Sequence, residues 1–136
     1  MKLANKELTM RGSCLCGRVN YEILCTPRQV VGCHCNQCRK SSGHYVAATQ
    51  APREMLKIEG LSNITWFQSS ETARRGFCST CGSQLFWTEL GSDNVSVMAG
   101  TLDGTTGLTM DRQLYPETKG DYYPLPDVKT VDQSTL

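Results

Sequence analysis

The stretch GCHCNQCRK (residues 32–40) places three thiols, those of Cys33, Cys35 and Cys38, within six positions of one another. The whole chain carries eight cysteines in 136 residues, a content well above ordinary usage. Composition alone allows two interpretations of such a content, a disulfide scaffold or metal binding. The C-x-C spacing of Cys33 and Cys35 suits two thiolates that face one ion better than a disulfide between them.

The cellular compartment expected from the sequence favours metal binding over disulfide bonds. The segment MKLANKELTMRGS (residues 1–13) is polar and of mixed charge, and it lacks the apolar region and cleavage site of a secretory signal. No stretch reaches the roughly 18 apolar residues that a membrane span needs. We therefore expect a cytoplasmic protein with no membrane partner, and in a reducing cytoplasm clustered cysteines usually bind metal. The net charge of +1 argues against nucleic acid as a partner.

Strand patterns dominate the chain. RVNYEIL (residues 18–24) alternates apolar and polar residues with the period of a half-buried strand. Short segments rich in aromatic and β-branched residues predict further strands at 44–49, 55–60, 63–69, 83–90, 94–100 and 108–115. Helical turns are predicted only at 51–55 and around Cys38. These patterns indicate a mainly β, antiparallel single domain over residues 1–136, with a core at about 11–125 and a looser tail at 126–136. An α+β domain with one short helix is the alternative.

Two cysteine pairs predict a structural metal site. Cys78 and Cys81 form a C-x-x-C knuckle followed by Gly82, where the backbone turns most easily. A knuckle supplies two ligands, and Cys14 and Cys16 are the natural second pair for a tetrahedral zinc ion. The alternative is that these thiols pack in the core without metal.

The remaining three cysteines predict a different kind of site. Three protein ligands with a fourth position open to water or substrate are typical of catalytic zinc, so Cys33, Cys35 and Cys38 are candidate catalytic ligands. A closed structural site completed by His44, Cys25 or a carboxylate is the alternative. The thiolate-rich ligand set favours zinc, although the spacing does not formally exclude iron.

The residues around this cluster have separate expected roles. His34 lies between two ligands and should point away from the ion as a local hydrogen-bonding group. Cys25 continues the apolar phase of the first strand and should face the core. His44, six residues after Cys38, is the candidate to reach the metal or to act as an acid or base beside it.

The chain resembles the glutathione-dependent formaldehyde-activating family, also called the centromere protein V domain family. The resemblance rests on GSCLCGRVNYE (12–22), CHCNQCRKSSGHYVAA (33–48) and SSETARRGFCSTCGSQLFW (69–87) and spans nearly the whole chain. It implies a two-zinc β-tent fold of antiparallel sheets. It also implies that the positions matching the family's structural zinc are Cys14, Cys16, Cys78 and Cys81, and that those matching its catalytic zinc are Cys33, Cys35 and Cys38.

The activity implied by the resemblance is that of a carbon–sulfur lyase run in reverse, which joins glutathione and formaldehyde to give S-(hydroxymethyl)glutathione. The implied partners are therefore a small thiol and an aldehyde. His44 is the candidate base, and Arg39 and Arg74 are the candidates to bind the glutathione carboxylates. Lys40 and Arg75 are expected on a solvated charged face. The alternative function is a zinc-stapled module that binds protein or nucleic acid without catalysis.

One position departs from the family pattern. Many members carry a His-Ile-aromatic step before a KGDYY-like stretch, whereas RQLYPETKGDYY (residues 112–123) places Gln113 where that histidine would be. The change leaves the fold and both cysteine sets untouched. If the histidine serves catalysis or binding in relatives, the difference puts the substrate of this chain in doubt.

Overall fold

The computed structural model describes residues 9–136, and the fold is mainly β. Residues 1–8, part of the predicted domain, lie outside the described residues. The helix α1 (Asn36–Ser42) follows the third strand. In chain order the strands are β1 (Met10–Ser13), β2 (Asn20–Ile23), β3 (Val30–Cys33), β4 (Val46–Pro52), β5 (Leu56–Glu59), β6 (Ile64–Gln68), β7 (Ala73–Cys78), β8 (Gln84–Glu89), β9 (Asn94–Met98), β10 (Met110–Leu114) and β11 (Lys129–Thr130).

The strands form two sheets. The smaller has the order β1-β2-β5, and the larger has the order β11-β10-β3-β4-β9-β8-β7-β6. Neighbouring strands in the smaller sheet are antiparallel. In the larger sheet the neighbouring strands along the run β3-β4-β9-β8-β7-β6 are antiparallel as well. Strand β10 instead runs parallel to β3 and β11. The prediction of a mainly β, antiparallel single domain is confirmed.

One face of the larger sheet packs against the smaller sheet and forms the main core. Tyr21 of β2 meets Phe86 of β8 edge to face, with ring centroids 5.5 Å apart. Ile23, Leu85 and Val97 are completely buried in the same cluster. Apolar burial on this scale, roughly 2 kcal/mol for each large side chain, holds the two sheets together.

The other face of the larger sheet carries α1 and the C-terminal segment. Cys35 is the N-cap of α1, and its sulfur accepts a hydrogen bond from the Cys38 amide at 3.4 Å. Gly43 ends the helix with a φ of 83°, a left-handed conformation that glycine adopts without strain. No helix within residues 9–136 is long and apolar enough to cross a membrane.

The predicted segments match the observed strands except at β1, β3, β7 and β11. Strand β3 (VVGC) is short and contains glycine, and β7 (ARRGFC) contains two arginines and a glycine, so neither has a strong strand pattern. The segment predicted as a helical turn at 51–55 begins inside β4 and continues as a 3₁₀ turn at Arg53–Met55. Both missed inner strands carry residues of the site described below.

Candidate functional site

Four thiols meet where β1 and β2 face the β7–β8 hairpin. The ligand atoms of Cys14, Cys16, Cys78 and Cys81 all lie within 4.8 Å of one another. The sulfur of Cys16 is 3.6 Å from that of Cys14 and 3.7 Å from that of Cys78. These distances are far longer than the roughly 2.0 Å of a disulfide. They are close to the edge of about 3.8 Å expected for a tetrahedron with metal–sulfur distances of about 2.3 Å.

Hydrogen-bond donors surround these sulfur atoms. The Val19 amide donates to Cys14 Sγ at 3.3 Å, and Asn63 Nδ2 donates to Cys78 Sγ at 3.1 Å. Ser83 lowers the pKa of Cys81 to about 5 through its side chain and backbone. Such donors stabilise thiolates, the form in which cysteine binds metal.

The two halves of this cluster use the same backbone device. Gly17 follows the first pair with a φ of 82°, and Gly82 follows the second with a φ of 79°. The Gly17 amide bonds the Cys14 carbonyl, and the Gly82 amide bonds the Cys78 carbonyl at 2.9 Å. These turns bring the paired thiols to one point, as the sequence analysis expected.

The second cluster consists of Cys33, Cys35 and Cys38, whose ligand atoms also lie within 4.8 Å of one another. Cys33 ends β3, Cys35 caps α1 and Cys38 lies in its first turns, so the strand-to-helix connection alone assembles the set. Hydrogen bonds from Cys33 and Cys38 lower the pKa of Cys35 well below its usual value. Within residues 9–136 no histidine or carboxylate joins these three ligand atoms.

A cavity of about 440 Å³ opens beside the second cluster on the face of the larger sheet away from the main core. All three thiols of this cluster line it, whereas none of the four thiols of the first cluster does. Val46, Ala48 and Met98 pack around the thiols and make this end of the cavity apolar. Polar side chains line the rest, among them Arg28, Gln37, Gln50, Arg75 and Ser96.

The predicted carboxylate-binding arginines lie elsewhere. Arg74 is exposed and stacks over the Trp66 ring, 5.1 Å from its centroid. Arg39 donates to the Thr118 carbonyl at 3.2 Å and ties α1 to the C-terminal segment. Neither is among the described residues that line the cavity; Arg75, expected on a solvated face, is 8% exposed and does line it. Recognising β7 as a strand would have shown that Arg74 and Arg75 point to opposite faces.

The two histidines have different surroundings. His44 is exposed, and its Nδ1 lies 2.6 Å from the Tyr122 hydroxyl; it is not among the residues that line the cavity. His34 is completely buried between Tyr123, 2.6 Å from Nδ1, and Gln113, 3.0 Å from Nε2. Burial lowers the pKa of His34 and so favours the neutral ring. The expectation that His34 is a hydrogen-bonding group is confirmed, but its side-chain partners are distant in sequence rather than local.

Cys25 and Gln113 also have clear places. Cys25 packs against the main core outside both thiol clusters, and burial raises its pKa. Gln113 is 3% exposed and does not line the cavity. Its Nε2 donates to the carbonyls of Pro126 and Val128 at 3.2 and 3.0 Å. The position at which the chain departs from the family pattern therefore supports the C-terminal segment.

Comparison with known proteins identifies the family of the chain. The family model described as glutathione-dependent formaldehyde-activating enzyme matches residues 9–118. The chain belongs to this family. The matched range contains both thiol clusters of this member of the glutathione-dependent formaldehyde-activating family.

Individual relatives extend the similarity. The chain is 28% identical over 129 residues to an uncharacterized lyase of Schizosaccharomyces pombe, covering 90% of this chain and 91% of the relative. It is also similar to the crystal structure of a Rhodobacter sphaeroides protein, with a TM-score of 0.58 and 25% identity. That match covers 90% of this chain and all of the other. The fold of this family member is thus shared over 90% of the chain.

Proposed function

We propose that this member of the glutathione-dependent formaldehyde-activating family is a zinc-dependent enzyme of the carbon–sulfur lyase class. It would join a small thiol to an aldehyde, with glutathione and formaldehyde as the pair, to give S-(hydroxymethyl)glutathione reversibly. The observation that carries the proposal is the asymmetry of the clusters: the three-thiol cluster lines the cavity, whereas the four-thiol cluster does not and has Cys14 and Cys78 buried in the main core. The family match and the relative described as a lyase support the broader assignment to a lyase.

The donor sets fit zinc at both places. The four thiols of the first cluster would supply all the ligands of a tetrahedral zinc ion, and this site would be structural. Cys33, Cys35 and Cys38 would supply three ligands, and a fourth position would then be free for a substrate. Bound at this cluster, a zinc ion would lower the pKa of an incoming thiol and hold it as the nucleophilic thiolate.

The chain contributes the surroundings of the reaction. Val46, Ala48 and Met98 limit water around the thiols, and lower local polarity strengthens the electrostatic interactions of the site. Trp87 forms part of the cavity wall. In the addition the thiol sulfur bonds to the aldehyde carbon, the carbonyl π bond breaks, and the thiol proton ends on the oxygen. Neither oxidant nor reductant is required.

Exchange NMR tests the proposal. The zinc-loaded protein should speed exchange between formaldehyde and S-(hydroxymethyl)glutathione beyond the uncatalysed rate. Cys35→Ser should remove the acceleration, and Cys25→Ser, outside both clusters, should keep it. Absence of acceleration by a protein that holds two zinc ions would overturn the proposal in favour of a purely structural metal role.

A further inference from the structure

Arg75 is a buried cation beside the three-thiol cluster. It lies in the middle of β7 and is 8% exposed. Its backbone pairs with Phe67 of β6 on one side and with Trp87 of β8 on the other. Because an inner strand is held on both sides, the sheet keeps the Cα of Arg75 in place and limits where its charge can lie.

The guanidinium reaches one thiol of the cluster. Nη2 donates to the sulfur of the buried Cys38 at 3.8 Å and to Gln37 Oε1 at 3.4 Å. The two ion pairs found within residues 9–136 do not include Arg75. Of the two groups that receive its hydrogen bonds, the amide of Gln37 is neutral, so the sulfur is the one that can carry a compensating negative charge.

The cluster needs a positive neighbour once it holds metal. A divalent ion held by three thiolates has a net charge of −1, and a thiolate in the fourth position makes it −2. Val46, Ala48 and Met98 pack around the thiols, so this charge lies in surroundings of low polarity, where an uncompensated charge is unfavourable. The four-thiol cluster differs, because Cys16 is exposed and water can offset the charge there.

We propose that Arg75 is the counter-ion of the three-thiol cluster, so that the fourth position prefers an anionic ligand, such as a thiolate, to a neutral one. This inference rests on the proposed function and assigns a positioning residue to it. A neutral ligand leaves the charge of the cluster unchanged, whereas an anion makes it more negative. A positive charge 3.8 Å from a ligand sulfur therefore stabilises the anionic complex selectively. Arginine suits this role because it keeps its charge at all ordinary pH values.

Titrations of the cobalt(II)-loaded protein test the proposal, because the visible spectrum of cobalt reports the fourth ligand. They would compare 2-mercaptoethanol, a thiol without a carboxylate, with neutral imidazole. Arg75→Gln should weaken thiol binding by at least about tenfold, the usual effect of removing a hydrogen-bond partner of a metal ligand, and leave imidazole within about twofold. Arg75→Lys keeps the charge and should retain most of the thiol affinity. Arg74→Gln, at the exposed neighbouring position of β7, should change the affinity for neither ligand.

A second variant neutralises the guanidinium without removing it. Gln37 is exposed and already accepts from Nη2, so Gln37→Glu should pair with Arg75 and weaken thiol binding in the same direction. This variant decides the question if Arg75→Gln does not fold. Equal weakening of both ligands by Arg75→Gln, the result expected if Arg75 only packs α1 against the sheet, would overturn the counter-ion. Unchanged thiol affinity in either folded variant would overturn it as well.

Azide separates this inference from the proposed function, because it is an anion without a thiol. Weaker azide binding in Arg75→Gln, with imidazole unchanged, supports the counter-ion even if the protein does not speed the reaction of glutathione with formaldehyde, a result that would overturn the proposed function alone. Equal azide affinity in the wild type and Arg75→Gln overturns the counter-ion and leaves the proposed function standing. Binding of imidazole but of neither azide nor thiol by the wild type would also overturn it.

Discussion

His34 Nε2 and Gln113 Oε1 are joined by a hydrogen bond of 3.0 Å between two completely or almost completely buried side chains. Because Gln113 Nε2 donates to two backbone carbonyls, its oxygen faces His34 and His34 Nε2 carries the proton. Nδ1 then accepts from the Tyr123 hydroxyl. This chain of hydrogen bonds fixes the C-terminal segment to the strand that ends in Cys33.

Gln113→Ala should lower the stability of the zinc-loaded protein. The change leaves the buried N–H of His34 and two carbonyl groups without partners, which costs about 1–3 kcal/mol. Urea unfolding would measure the loss of free energy. Thr130→Ala, at the exposed position paired with Gln113 across β11, is the control and should change stability by less than about 0.5 kcal/mol. Equal effects of the two changes would contradict the role given to Gln113.

The two thiol clusters should differ in their importance for folding. Cys81→Ser removes a ligand of the core cluster, and since a structural zinc contributes on the order of 10 kcal/mol to folding, the variant should lose near-UV circular dichroism. Cys35→Ser should keep that signal, because serine can still cap α1. Metal analysis should find one zinc per chain in Cys35→Ser. Unfolding of Cys35→Ser to the same degree as Cys81→Ser would indicate that both clusters are structural.

We predict that the buried Tyr21 makes the protein less stable at alkaline pH. Burial raises the pKa of Tyr21 to about 12, while the unfolded chain titrates near 10. Below pH 10 Tyr21 is protonated in both the folded and the unfolded protein, so its titration does not lower the stability. Between pH 10 and 12 only the unfolded state ionises, so the free energy of unfolding falls, by up to about 3 kcal/mol. Tyr21→Phe should be less stable at pH 8, because it lacks the hydrogen bond to Thr101. It should not show the fall in stability between pH 10 and 12 that the Tyr21 hydroxyl causes. Identical pH slopes in the two proteins would refute the prediction.

His44→Ala should leave turnover nearly unchanged. General bases usually contribute about 10²–10⁴-fold, whereas His44 is exposed and away from the residues that line the cavity, so we expect a change of less than about twofold. The exchange rate between glutathione and formaldehyde measures the effect. A hundredfold loss would restore His44 as the base that its position in the sequence suggests.

The sequence predicted the thiol clusters well because the cysteines of each motif are brought together by local structure. The spacing of Cys78 and Cys81, with Gly82 after them, specifies a knuckle, and Cys33 to Cys38 meet through one strand-to-helix connection. The closure of the first cluster by Cys14 and Cys16 followed from the tetrahedral preference of zinc.

The residues around the cavity were harder to predict because they depend on sheet pairing. Arg74 and Arg75 are neighbours in sequence, and only the strand assignment of β7 tells which of them faces the cavity. His44 is close to Cys38 in sequence, yet beyond α1 and the left-handed turn at Gly43 its ring contacts Tyr122 and does not join the thiols. Trp87 lies opposite Arg75 because β7 pairs with β8. No local sequence pattern contains this cross-strand relation.

Cadmium-113 NMR of the cadmium-substituted protein tests the central claim most directly, because each site gives its own resonance. We predict two resonances, of which one is unmoved by glutathione and the other shifts as the added thiol becomes its fourth sulfur ligand. The shifting resonance should be absent in Cys35→Ser. Two resonances that both stay in place at saturating glutathione would contradict an open three-thiol site.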